Sequence, residues 1–121
     1  MSKYIAGRSY HEWEIEQLRS DRELAVECLK AALETLDNPD ERGGSLLMLR
    51  ALSEAFGGLG AVAAQAGISR ESLYRSLSPK GNPTLKTLIA VVNAMGLRLS
   101  VVEERQAKKK RSKSRVARKA A

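Results

Sequence analysis

Apolar residues recur at helical spacing along most of this chain. Leu24, Ala25, Cys28, Leu29, Ala32, Leu33 and Leu36 form one stripe of a helix. Ser20-Asp21-Arg22-Glu23 precedes that stripe as a capping box, a serine with glutamate three residues on. Asn38-Pro39-Asp40 and Gly43-Gly44 end it in a turn. A second helix is predicted over residues 45–56, with Leu46, Leu49, Leu52 and Phe56 on one face and Gly57-Gly58 behind it. Two short helices follow, over 59–66 and 69–77, separated by Gly67. Pro79, Gly81 and Pro83 force a loop over 78–83. The last helix starts at Thr84, a good N-cap, and runs to Met95 with the stripe Leu85, Leu88, Ile89, Val92 and Met95. Gly96 stands at its C′ position. Ahead of all this, residues 1–19 mix Tyr4, Tyr10, Trp13 and Ile15 with acids at only weak helical period. Leu97 to Val101 alternates apolar and polar, as a short strand does. The expectation is an all-α, compact bundle of about five helices, with a short C-terminal strand and a disordered basic tail.

Four segments follow: an N-terminal arm (1–19), an acidic amphipathic helix with its linker (20–44), a helical domain (45–102) and the basic tail (103–121). Aromatics make up 4% of the 121 residues, so the core must be aliphatic. The net charge of +7 is unevenly placed. From Arg105 onward there are nine Lys or Arg and no acid, whereas residues 1–104 hold 12 bases and 14 acids. Bulk charge therefore says little about the globular part, and the case for a nucleic-acid partner rests on local chemistry. No apolar run approaches the ~20 residues that span a bilayer, and no secretory signal is visible. With a single cysteine, Cys28, a reduced cytoplasmic setting is expected, nucleoid-associated when bound to DNA.

The two short helices around Gly67 carry that local chemistry. A helix-turn-helix needs a small residue where its helices cross, which Ala63 supplies, and a connection that tolerates positive φ, which Gly67 supplies. Val62, Ala66, Ile68, Leu73 and Leu77 fall where both helices face the core. Ser69 caps the second helix and leaves its amide dipoles free to approach a groove. Ser69, Arg70, Glu71, Ser72, Tyr74 and Arg75 are then left outward as candidate base contacts. Arginine pairs with guanine O6 and N7, and glutamate accepts from cytosine N4. Lys80, Asn82 and the amides at 59–61, Gly60 among them, are candidate phosphate contacts. The alternative for the outward residues is an ordinary solvated face, and for Gly81-Asn82-Pro83 a plain turn.

The run from Ala66 to Pro79 (AGISRESLYRSLSP), then Gly81-Asn82-Pro83-Thr84 and Ala94-Met95-Gly96-Leu97-Arg98-Leu99, closely resembles the addiction-module antidote proteins. These are HigA-like antitoxins of the XRE (Cro/repressor-type) helix-turn-helix superfamily. The resemblance covers about residues 21–102, since the Asp21–Leu36 helix also looks like the family's acidic front helix. It implies a lambda-repressor-like bundle and a cytoplasmic antitoxin encoded beside a small RelE-like toxin, a ribonuclease of translation. It further implies that the chain neutralises the toxin by binding, and represses its own operon as a homodimer on a double-stranded DNA operator. The first twenty residues and the basic tail extend beyond the family's usual compact form.

Several features keep more than one reading. The tail is a nonspecific DNA arm, a contact for RNA or an acidic partner, or a solvated end. The acidic helix packs on the core, covers a basic toxin, or does both with different faces. Residues 97–101 pair with their copy in a second chain or cover their own core. His11 and Cys28 have no metal-ligand partner at useful spacing, and no phosphate-cradling glycine loop is present, so neither enzyme chemistry, a metal nor a cofactor is expected. A stand-alone XRE repressor without a toxin, and a small RNA-binding or RNA-cleaving protein that uses the tail, are the competing functions.

Overall fold

The computed structural model describes residues 9–104; the segment 1–8 and most of the basic tail, from Arg105, lie outside the described residues. The described chain forms six helices and no strand: α1 (Tyr10–Ser20), α2 (Arg22–Glu34), α3 (Arg42–Ala55), α4 (Leu59–Ala66), α5 (Arg70–Ser76) and α6 (Leu85–Ala94). An all-α bundle is thus present, with one helix more than the periodicity suggests.

The additional helix is α1, built from the stretch whose apolar spacing is only weakly helical. Ser9 Oγ accepts from the Glu12 N–H, and the Glu12 carboxylate accepts from the Ser9 N–H, both at 3.1 Å. The capping box therefore stands one helix earlier than expected. At the expected place the cap is Asp21, whose carboxylate accepts from the Leu24 N–H at 3.1 Å. Ser20 instead donates to Glu16 O at 2.8 Å, inside the last turn of α1. Asp21 alone lies outside both helices, so the cap position falls on it, and aspartate caps as well as serine does.

Two further expectations shift at α3. Gly43 and Gly44 do not end a linker; they lie in the first turn of this helix. The reversal is made earlier, where Asn38 accepts from the Asp40 N–H and donates to Glu41, each at 2.9 Å. Gly43 then lets Pro79 approach, since a Cβ there would lie 3.4 Å from the proline ring. The helix itself is the hub of the bundle. Its Leu46, Leu49 and Leu52 are fully buried. It packs against α1 and α2 on one side and against α4 and α6 on the other. Ile15 and Leu18 of α1 and Ala25, Leu29 and Ala32 of α2 close the first side; Val62, Leu73, Val91 and Met95 fill the second.

On α6 the buried face is Thr87, Ala90, Val91 and Val92; of the expected stripe Val92 and Met95 are buried and Leu88 packs partly on the core, whereas Leu85 and Ile89 face outward. Leu85 is 65% exposed and Ile89 38% exposed. The helix is apolar on two faces of equal spacing, so periodicity leaves its rotation open. The cap is Thr84, as expected, accepting from the Thr87 N–H at 3.1 Å, and Gly96 takes φ +76° at the other end. Beyond it the Leu97 N–H closes back onto Val92 O at 3.2 Å, while Leu97 and Leu99 rest against the core. The predicted strand at 97–101 does not form. A lone extended segment has no ladder to join, and no strand among the described residues offers one.

Candidate nucleic-acid interface

The connection between α4 and α5 has three residues, Gly67, Ile68 and Ser69. Gly67 takes φ +73° and ψ +28°, the left-handed region that side chains other than glycine occupy at a cost. Its N–H and that of Ile68 bond back to Ala64 O and Ala63 O at 3.1 and 3.0 Å, so the last carbonyls of α4 are satisfied. Val62 and Ala63 on α4 and Leu73 and Leu77 around α5 are buried, and Ile68 is half-buried between them. Two short helices packed together across a three-residue turn form a helix-turn-helix unit.

The candidate base contacts lie on one side of α5. Ser69 Oγ accepts from the Ser72 N–H and also donates to Ser72 Oγ, both at 3.0 Å. Arg75 Nη2 reaches the same Ser72 oxygen at 3.4 Å. Arg70 and Glu71 are exposed, with no side-chain partner among the described residues. Tyr74 is 47% exposed, yet one face of its ring is taken. The Arg50 guanidinium lies 3.8 Å from the ring centroid, a contact that contributes roughly 0.5–2 kcal/mol depending on desolvation. Among the candidate phosphate contacts, Gly60 and Lys80 are open to solvent. Asn82 is exposed but tethered, because its Oδ1 accepts from Arg42 at 3.1 Å.

Three residues that sequence reasoning passes over, Arg42, Arg50 and Lys86, shape this surface together with Gly81. Arg42 donates to Leu36 O, to Gly81 O and to Asn82, at 3.0, 3.1 and 3.1 Å, tying the loop before α3 to the loop after α5. Arg50 donates to Ser78 Oγ at 2.7 Å as well as stacking on Tyr74. A Cβ at Gly81 would overlap the Arg75 and Ser76 carbonyl oxygens, so the loop can only lie this close to α5 with glycine there. Lys86 Nζ would be 3.1 Å from a Cβ at Gly67, which brings a cation of α6 to the turn. The one signal for Arg50 was a solitary charge in the apolar run Leu46-Leu47-Met48-Leu49-Arg50-Ala51-Leu52.

Charge divides between the two sides of α3. Residues 9–41 carry ten acids and three bases, whereas residues 42–102 carry seven bases and two acids. The helix-turn-helix side is therefore basic without help from the tail. On the other side α2 buries Ala25, Leu29 and Ala32 and leaves Glu23, Glu27 and Glu34 in solvent. The His11 Nε2–H donates to the Glu54 carboxylate at 2.8 Å, linking α1 to α3. Cys28 lines an open groove between α2 and α3; burial, with Glu14 and Glu27 adding repulsion, pushes its thiol above the ordinary range. No group of three or more His, Cys, Asp or Glu among the described residues is placed to hold a metal. No single helix among them is long and apolar enough to cross a membrane.

Fold and site together define an all-α bundle that contains a helix-turn-helix unit, with a basic side and an acidic helical hairpin. Residues 9–103 match the family described as "Probable addiction module antidote protein", and the chain belongs to that family. Membership carries the expectation of a toxin that the antidote counters. A stretch of 44 residues is 48% identical to an uncharacterized protein of Haemophilus influenzae, covering 36% of this chain and 45% of that relative. No solved structure matches the chain.

Proposed function

We propose that this antidote protein is a sequence-specific DNA-binding repressor of its own operon, and that it neutralises a small, basic, RelE-like toxin. The observation that carries the first half is the α4–Gly67–α5 unit. It leaves Arg70, Glu71 and Arg75 outward on the basic side of the molecule, with buried Leu73 and Leu77 behind them. Ser69, Ser72 and Tyr74 complete the base-reading set; Gly60, Lys80 and Asn82 hold phosphates and fix the register. Each bidentate arginine–guanine pair then contributes roughly 1–3 kcal/mol of discrimination. One such helix reads few base pairs, so two copies bind half-sites about one helical turn apart. Leu85 and Ile89, apolar and exposed on α6, supply a face for the second copy.

The toxin meets the opposite side. Glu23, Glu27 and Glu34 on α2 present negative charge to a basic RNA-binding protein, and complementary charge speeds encounter and selects the partner. The fold is helical throughout the described residues, which favours an antidote over a nuclease of the toxin's own sheet-based kind.

Co-expression with the product of the neighbouring gene, followed by co-purification and gel-shift on the duplex upstream of the operon, tests both halves. A stable complex and a retarded band are expected. Reversing Glu23, Glu27 and Glu34 to lysine should weaken the toxin complex and spare the gel shift. Equal loss of both activities would make α2 a purely structural helix, and absence of any retarded band would sink the repressor reading.

A further inference from the structure

We infer that Arg50 sets the orientation of α5 by gripping Tyr74 from the core side, without itself touching nucleic acid. The inference rests on the reading of α5 as the DNA-reading helix. With seven residues, α5 is too short to be helical in isolation, so its geometry is imposed by what holds it. Its buried anchors, Leu73 and Leu77, lie four residues apart on a single line. Such a line fixes depth; roll about it is set by lateral contacts, the Gly81 loop against the Arg75 and Ser76 carbonyls at the end of the helix and a second hold nearer its middle.

Arg50 supplies that second hold. Its guanidinium carbon lies 3.8 Å from the Tyr74 ring centroid. Its Nη2 donates to Ser78 Oγ at 2.7 Å, and Ser78 Oγ donates in turn to the Tyr74 carbonyl at 2.7 Å. One cation therefore holds the same residue by its ring and, through a serine, by its backbone. The arginine stands on α3 between the fully buried Leu49 and Leu52, the best-packed element of the bundle. Its Nε is buried with no hydrogen-bond partner. An unsatisfied buried donor is a cost that an apolar side chain of the same length would avoid, so stability alone does not account for arginine here. Lysine could meet one of the two partners, not both, because it lacks the planar fork.

Roll about the Leu73–Leu77 line decides which of Arg70, Glu71 and Arg75 face a groove. Arg50 is accordingly a positioning residue for sequence preference. The test compares full-length wild type with Arg50→Met, Arg50→Lys and Tyr74→Leu. Hydrogen exchange without DNA reads α5 directly. Arg50→Met and Tyr74→Leu should each lower protection across residues 70–78 while residues 85–95 keep theirs. In binding by Arg50→Met, the ratio of affinities for the operon's upstream duplex and a scrambled duplex should fall about tenfold, the loss of one hydrogen bond and one cation–π contact. Arg50→Lys should recover only part of that ratio, and the slope of log K against log salt should not change.

Unchanged protection at 70–78 in Arg50→Met overturns the inference. So does a slope lowered by about one, which would make Arg50 a phosphate contact. Equal losses on both duplexes also overturn it, since they would show a general effect on folding. If wild type itself shows no preference between the duplexes, the DNA-reading proposal fails, and the exchange measurement still decides whether Arg50 holds α5.

Discussion

Replacing Gly81 by alanine puts a methyl group against the Arg75 and Ser76 carbonyl oxygens, both backbone atoms at the end of α5. No side-chain rotation relieves that overlap. Either α5 moves, or the 78–82 turn opens and gives up two hydrogen bonds. Those are the Gly81 N–H to Ser78 O at 2.7 Å and the Arg42 guanidinium to Gly81 O at 3.1 Å. Overpacking costs about 1–3 kcal/mol and each lost hydrogen bond about 1 kcal/mol, so either route costs about 2–3 kcal/mol. In a domain of this size each kcal/mol lowers Tm by about 4–8 °C, which places the Gly81→Ala loss near ~15 °C. Gly67→Ala is the natural control. Its cost is the left-handed φ, about 1–2 kcal/mol, because the nearest atom to the new Cβ is the mobile tip of Lys86. Asparagine tolerates that region, so Gly67→Asn should recover part of the loss, while Gly81→Asn should be no better than Gly81→Ala. Thermal unfolding followed by circular dichroism on the four variants decides the matter. A Gly81→Ala protein as stable as Gly67→Ala, or rescue at position 81 by asparagine, would refute the steric account.

Lysine at both Leu85 and Ile89 should convert the proposed dimer to a monomer in sedimentation experiments with little change in Tm, since Leu85 is largely and Ile89 partly in solvent. An unaltered sedimentation coefficient would remove α6 from the interface. Lys80→Ala should lower the salt slope of DNA binding by about one and leave sequence preference intact; a changed preference would reassign Lys80 to base reading. Cys28 should react slowly with a maleimide at neutral pH, because its raised pKa keeps the thiol protonated; the rate should climb only in more alkaline solution or on unfolding. Fast labelling of the native protein at neutral pH would contradict that shift.

Local signals with a single physical solution were legible in the sequence. Thr84 and Ser69 cap the helices they precede, Gly67 and Gly96 take positive φ, and the bounds of α4 coincide with its apolar run. Signals with two solutions were not. Ser20 and Asp21 are both competent caps, and the choice fell on whichever residue lay between two consecutive helices. Leu85–Leu88–Ile89 and Thr87–Ala90–Val91 are rival stripes on one helix, and only packing against α4 selects between them. The segment 97–101 had the right alternation but, among the described residues, no strand to pair with. On the candidate site, the outward residues of α5 could be read from spacing, whereas the grip of Arg42 and Arg50 could not. Those contacts join positions 39 and 28 apart in the chain, and no periodicity reports them.

The described chain is electrically lopsided, with ten acids and three bases over residues 9–41 but seven bases and four acids over residues 42–104. A nearby duplex exerts a torque on such a molecule, and at physiological salt the field acts within a Debye length of about 8 Å. Encounters that lead with α1 and α2 are repelled before contacts form, and those that lead with α5 are drawn in. In the proposed DNA complex the acidic hairpin then points into solution. A second macromolecule of opposite charge can then land there without displacing the first.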